Sequence, residues 1–502
     1  MRTRAPGRVG KLLRTALLVT ASAYLLTYLV VAILRIQYPF ELEWMEGGVV
    51  DHIRRILAGK PLYVRPSPQF VPFIYTPLYF YLSALVSRIL GVGFLPLRLV
   101  SFASSIGCLA VIWLLVKRQT SSHFPGILAA GLFAATYPLS DGWFDIARVD
   151  SLFLLLLLLA IYMLGPGRTP RSWIAGGVLI WLSFLTKQTA LLSSLPIMLS
   201  CFLQDRRRSL LLIAAAGVPI WGSNWLLDRI HDGWYGYYVF ELPAGPPIVT
   251  ELLAEFWTKD LLPPLWAACL LSAFYLWHEL ARGNRAAGGL YLAVAAGLLG
   301  GAWVGRLHAG GHENVLLPAY AAIAILFGLA AGTALKLIRA AAPDRRALLE
   351  IGLYALCLLQ FALLVYHPSR LVPTRDDLEA GREFIATIAA VEGEVFIPDH
   401  GYLPALAGKR THAHGMAVFD VARGDAGPIW QQLSLQIGQA VQQRRFAAIV
   451  MDTGRPTGDV EPYYLRQQKM FAREDVFWPV TGLKKRPEFI YVPKPRPAAA
   501  DN

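Results

Sequence analysis

Charge is scarce in this sequence. Asp, Glu, Lys and Arg make up 16% of its 502 residues, against about 25% in soluble domains. Hydrophobic residues make up 55%, and the mean hydropathy is +0.45. A water-soluble core cannot absorb that much apolar surface, so a bilayer is the natural solvent. Cysteine is sparse as well. Cys108, Cys201, Cys269 and Cys357 lie in apolar stretches without CxxC spacing, which points away from a zinc site and from a disulfide framework. No internal repeat at a solenoid period is present. Also missing is a basic patch on a soluble face. Residues 1–366 hold 30 Lys/Arg and 18 Asp/Glu, and residues 367–502 hold 17 and 16. The net charge of +13 therefore belongs to the apolar part, where short cytoplasmic loops collect Lys and Arg. Nucleic acid is not an expected partner.

Long apolar runs are abundant. They recur at about 15–34, 96–116, 124–140, 150–164, 172–186, 189–203, 209–227, 261–280, 286–304, 314–334 and 346–366, which predicts an α-helical polytopic protein with about eleven transmembrane helices. The first run follows Arg2, Arg4, Arg8, Lys11 and Arg14 and has no small-residue cleavage site after it, so it reads as a retained helix rather than a signal peptide. With the N-terminus cytoplasmic, the inside loops are Lys117-Arg118, 168–171, 206–208, 282–285 and 336–346, all basic. Of the 18 acids in residues 1–366, 14 then fall outside. The orientation rule does not use acids, so a functional outer face is one cause of this clustering. Phe73–Leu90 could just span, but counting it would invert every later loop. It carries Tyr75, Tyr79 and Tyr81 near Pro72 and Pro77 and is expected to lie in the outer interface. The first outer loop then runs over about 36–95, with a short helix at about Val49–Leu57.

Residues 1–366 thus read as the transmembrane domain and 367–502 as an extracytoplasmic α/β domain. In the latter, helices are expected at Asp376–Val391 and Trp430–Arg444, strands at Glu394–Pro398 and Phe446–Met451, and a disordered end at Lys494–Asn502.

Four polar clusters could carry chemistry. Glu41, Glu43 and Glu46 flank Trp44 just after the first run; a carboxylate there can act as general base on a hydroxyl, or the stretch is a solvated loop. Asp141, Asp145, Arg148 and Asp150 precede the fourth run; Asp150 reads either as a site residue or as a carboxylate favoured by a helix N-terminus, and Arg148 could hold it or a phosphate. Lys187 stands between two apolar runs, either snorkelling or meeting an anionic lipid phosphate. Arg306, His308, His312 and Glu313 lie in a Gly-rich stretch; Arg306 beside glycine amides suits a phosphate, and a metal is the alternative. Trp234, Tyr235, Tyr237 and Tyr238 read as interface anchors or a sugar-stacking platform. His400, His412 and His414 read as ordinary histidines.

Over about residues 10–335, these clusters in this order resemble the GT-C superfamily of polyprenyl-phosphate-sugar glycosyltransferases, nearest its protein O-mannosyltransferase and aminoarabinose transferase branches. The resembling segments are Glu46-Gly47, Leu57–Tyr63 with Gly59, Ile74–Tyr79 with Pro77, Asp150, the Leu-Thr-Lys segment ending at Lys187, and Arg306 through Pro318. The family has an acidic pair in its first outer loop. Met45 stands where its Asp would be, so Glu46 becomes the first candidate base and Glu43 the second. The resemblance implies inverting sugar transfer from a polyprenyl-phosphate carrier to a glycan, lipid or protein acceptor on the outer face of a plasma or inner membrane. Lys187 and Arg306, with Arg148, would hold the leaving phosphate, and Asp150 would orient Lys187 or the acceptor. No cofactor is required, although a divalent metal stays open because some members use one. The competing classes are a transporter or lipid flippase, which would line a path with ionisable groups, and a non-catalytic scaffold. Transfer from a purified lipid-linked donor separates these from an enzyme.

Overall fold

The computed structural model describes residues 8–495 apart from 166, 426, 453 and 455–457. Arg2, Arg4 and residues 496–502 of the expected disordered end lie outside the described residues, whereas Lys494 is hydrogen-bonded to Tyr463.

Each expected apolar run is helical. The first nine helices are α1 Arg8–Arg35, α2 Glu46–Leu57, α3 Leu78–Leu90, α4 Phe94–Thr120, α5 His123–Ala135, α6 Asp150–Met163, α7 Pro170–Thr186, α8 Ala190–Gln204 and α9 Arg206–Ile230. Helices Leu262–Ala281, Arg285–Leu307, Leu317–Ala340 and Pro343–Ala362 complete the bundle. Among the described residues, six helical stretches are long and apolar enough to cross a membrane: α1, α4, α9, Leu252–Ala281, Ala286–Leu307 and Glu313–Ala340. Helix α9 leaves Leu210, Val218, Trp221, Trp225 and Leu226 exposed, an apolar surface that suits lipid rather than water. Glu313–Ala340 is the opposite case, with 94% of its most apolar window buried. Its small residues permit that. A Cβ on Gly328 would sit 2.8 Å from the Pro125 carbonyl oxygen, so glycine lets α5 approach closely.

Helix α3 has 13 residues, about 20 Å of rise, too short for a hydrocarbon core of about 30 Å. It exposes Tyr81, Leu85 and Ile89, one face at i, i+4, i+8. Beside it, α2 buries Val49, Val50 and Ile53, each burial worth about 1.5–3 kcal/mol. His52 of α2 stacks between Phe73 and Phe80 at 4.7 and 4.9 Å. Its Nε2 accepts from the Phe73 amide (2.8 Å) and its Nδ1 donates to the Gly48 carbonyl (2.6 Å). Burial pushes this imidazole down to about 4, so it stays neutral and fixes the 73–77 segment.

After residue 367 the chain forms helices Arg375–Ala390, Gly415–Gly424 and Pro428–Gln442 and strands β1 Val395–Phe396, β2 Ala448–Asp452, β3 Tyr464–Lys469 and β4 Pro487–Pro493. The sheet order is β1-β2-β4-β3, with β1 parallel to β2 and the remaining pairs antiparallel. Thr374 and Asp377 form a capping box on the first helix. The expected strand at Glu394–Pro398 shrinks to two residues, because the chain turns away after Phe396. Strands β3 and β4 and helix Gly415–Gly424 were not expected.

Fully buried Arg35 joins the two parts. It forms a bidentate pair with Asp145 (2.6 and 2.8 Å) and donates to the carbonyls of Gly142 and Leu371 and to Thr481. Removing one partner of such a pair strands the other charge, at a cost of about 3–5 kcal/mol. Arg35→Ala is therefore expected to lower the thermal unfolding midpoint of detergent-purified protein sharply, and an unchanged midpoint contradicts this role.

Candidate active site

Glu46 and Glu43 are three residues apart and have different fates. Glu46 opens α2 and is fully buried. Its two oxygens accept from Arg98 (3.0 and 2.5 Å), the Ala147 amide (2.7 Å) and the Leu42 amide (2.7 Å). Burial pushes the Glu46 carboxyl up, but Arg98 and the two amides outweigh it and hold it low. Arg98 in turn donates to the carbonyls of Tyr38 and Phe40. Glu46 is a brace between the first loop and α4, and it does not line the cavity described next.

That cavity, of about 190 Å³, opens where the 43–45 and 74–75 segments meet the start of α6, the α7–α8 junction and the 305–315 loop. Glu43 lines it. One Glu43 oxygen faces Arg148 Nη1 (3.3 Å) and the Met45 amide (3.2 Å), and the other has no partner among the described residues. Burial pushes Glu43 up to about 8, against the pull of Arg148. Arg148 and Lys187 also line the cavity. Arg148 donates to the Tyr75 hydroxyl (2.8 Å). Asp150 sits behind the wall, accepting from Lys187 Nζ (2.6 Å), Trp143 Nε1 (2.9 Å) and Asn314 Nδ2 (3.2 Å). It is the first residue of α6 and aims three cavity-lining side chains.

Arg306 is not among the lining residues. It pairs with Asp260 (2.8 Å) and donates to the Gly311 carbonyl, so it shapes the 308–312 loop from outside. His308 and His312 reach the cavity, and Glu313 does not. Among the described residues, no three His, Cys, Asp or Glu side chains form a metal-sized cluster. None of Trp234, Tyr235, Tyr237 and Tyr238 lines the cavity, so no sugar-stacking platform forms there. Tyr235, Tyr237 and Tyr238 are buried, and Tyr235 and Tyr238 pack around Tyr63 away from the cavity.

The C-terminal part supplies a wall that was not expected. Met416, Asp420, Arg423 and Leu483 line the cavity. His414 caps helix Gly415–Gly424, which carries the first three, accepting from the Met416 amide (3.1 Å), while its Nε2 donates to the Trp44 carbonyl (3.3 Å). Asp420 accepts from Arg423 (2.6 Å), and Arg423 also donates to the Ala309 carbonyl. Burial pushes Asp420 up to about 6 against Arg423. His400 bridges Glu41 (2.5 Å) and Asp452 (3.2 Å), and His412 meets Glu394 (3.0 Å). All three histidines are buried and bonded. A helical stretch holding an i, i+3 Asp–Arg pair was the only sequence signal for this wall, and its partners are distant along the chain.

Two short helices precede the second long apolar helix, a carboxylate and two cations line one cavity, and an α/β part supplies a further wall. A family model described as dolichyl-phosphate-mannose-protein mannosyltransferase matches residues 72–221. The structure is similar to ArnT from Cupriavidus metallidurans bound to undecaprenyl phosphate, at 14% identity and a TM-score of 0.60, covering 94% of this chain and 97% of that one. It is also similar to the archaeal oligosaccharyltransferase AglB from Archaeoglobus fulgidus in complex with an inhibitory peptide and a dolichol-phosphate. There the identity is 12%, the TM-score 0.53 and the coverage 86% and 69%. No curated protein matches the sequence. The fold and the apolar helices make the chain an integral, multi-pass membrane protein.

Glu46→Gln is expected to destabilise the protein by about 3 kcal/mol or more, because Arg98 loses its counter-charge in a buried site. Glu43→Gln replaces a carboxyl already held near neutral and should leave the unfolding midpoint unchanged or higher. Thermal unfolding of both variants at pH 7 checks this; equal losses contradict the assignment.

Proposed function

We propose that the protein transfers a sugar from a polyprenyl-phosphate carrier to an acceptor hydroxyl, with inversion. The single observation that carries this reading is that Glu43, one of whose oxygens has no partner among the described residues, lines the same cavity as Arg148 and Lys187. Glu43 takes the acceptor proton as the acceptor oxygen bonds to the anomeric carbon. The bond from that carbon to the phosphate oxygen breaks, and its electron pair leaves with the polyprenyl phosphate. Lys187 and Arg148 stabilise the departing charge; preorganised cations in a partly dry site are worth several kcal/mol of the barrier. Asp150 is a positioning residue for Lys187. The resemblance to proteins bound to undecaprenyl phosphate and dolichol-phosphate supports the donor class.

The same reading assigns eleven membrane crossings, a cytoplasmic N-terminus and an extracytoplasmic cap from residue 367, in a plasma or inner membrane. The sugar is a hexose or pentose, and the acceptor a glycan, lipid or protein. Membrane lipids surround the bundle.

Glu43→Gln is expected to lower turnover from an undecaprenyl-phosphate-linked sugar by at least about 100-fold, the usual worth of a positioned base. Near-wild-type turnover removes Glu43 from the role. Glu43 must be ionised to accept the proton and its carboxyl is pushed up to about 8. The rate is therefore expected to climb with pH and level off above about pH 8. A rate that is flat from pH 6 to 9 contradicts a Glu43 base.

A further inference from the structure

A second cavity, of about 200 Å³, lies between α6, α7, α8, α9 and helix Arg285–Leu307. It is at the far end of the bundle from the first. Leu164 at the end of α6 and Trp173 near the start of α7 line it, whereas Asp150 and Lys187 mark the other ends of those helices. At about 1.5 Å per residue, α6 alone separates the two by about 20 Å.

Basic residues at helix ends ordinarily reach into water, but two here fold inward. Arg118 and Arg168 donate to the same Tyr162 carbonyl (2.8 and 3.1 Å) and lie over the same Tyr162 ring (5.0 and 4.8 Å). Neither pairs with a carboxylate among the described residues. Arg168 Nε and the indole N–H of Trp173, a residue 7% exposed, are buried donors without partners among the described residues. Gly165 makes the fold-back possible, since a Cβ there would collide with the Arg118 guanidinium. Arg168 and Arg208 line the cavity, and the Arg208 side chain shares Asp205 at 3.4 Å. Asp205 also lines the cavity but pairs with Arg208, so the two like charges on the Tyr162 carbonyl have no carboxylate of their own among the described residues.

We propose that this cavity is a phosphate-ester site, held by Arg168 and Arg208, with Arg118 behind them. Guanidinium groups and an indole N–H suit the several acceptor oxygens of a phosphate better than a carboxylate. The apolar side of the cavity, Leu164, Cys201 and Leu290, accommodates the carbon next to the ester. The anion comes from a phospholipid headgroup or from free phosphate in solution.

The test titrates full-length protein in neutral detergent with phosphatidylglycerol, phosphatidylcholine and inorganic phosphate, reading the thermal unfolding midpoint. Phosphatidylglycerol is expected to raise the midpoint saturably and more than phosphatidylcholine; a saturable rise with inorganic phosphate alone instead assigns the soluble source. Arg168→Gln should raise the half-saturating concentration about tenfold, the worth of a charge-assisted hydrogen bond. Gly165→Ala, which keeps every charge but displaces Arg118, should weaken binding too. Arg171→Gln, at an exposed arginine in the first turn of α7, should not. If wild-type protein shows no saturable rise with either phosphate source, or if Arg168→Gln and Arg171→Gln behave alike, the site is wrong. The wild-type titration decides the matter even where a variant fails to fold.

Discussion

The Glu46–Arg98 pair fixes the two segments that carry Glu43 and Arg148 to the cavity. Both side chains are fully buried, and Glu46 spends both oxygens on Arg98 and two backbone amides. One of those amides belongs to Ala147, immediately before Arg148. The pair therefore fixes the 41–46 turn against α4 and the approach to α6 together. A buried pair of this kind adds little net stability against an apolar alternative, but it specifies register, since any slip leaves a charge unpaired. Arg35 and Asp145 repeat the device and include Leu371 and Thr481 from the C-terminal part.

With its neighbours so constrained, the cavity has an electrostatic asymmetry. Asp150 is saturated by Lys187, Trp143 and Asn314, whereas Glu43 keeps one oxygen unused. One carboxylate is fully engaged and the other keeps an acceptor atom without a partner among the described residues. The cap adds Arg423 and Asp420, which hydrogen-bond to each other, Arg423 also tying the cap to the 308–312 loop through the Ala309 carbonyl. His414 couples this cap to Trp44, next to Glu43.

Much of this was legible in the residues, and the failures have physical causes. Apolar periodicity located the helices, because in lipid the backbone must satisfy itself and only long apolar segments can do so. Arg148, Asp150 and Lys187 were legible because a charge beside an apolar run is expensive and so implies a partner. The choice between Glu43 and Glu46 was not. It depends on Arg98, 52 residues away from Glu46, which reads as an ordinary residue at the start of an apolar run. Arg306 misled for the same reason, since Asp260 neutralises it across 46 positions. The cap was the least legible part. Its strands are short, β3 is exposed along most of its length, and its contribution to the cavity rests on contacts spanning more than a hundred residues.

The most direct measurement is an experimental structure of the protein with undecaprenyl phosphate bound. Phosphate oxygens within hydrogen-bond reach of Lys187 and Arg148, with Glu43 facing the space beside the phosphate, are the expected result. A phosphate seated on Arg306 outside the 308–312 loop, with the Glu43 cavity empty, would contradict it.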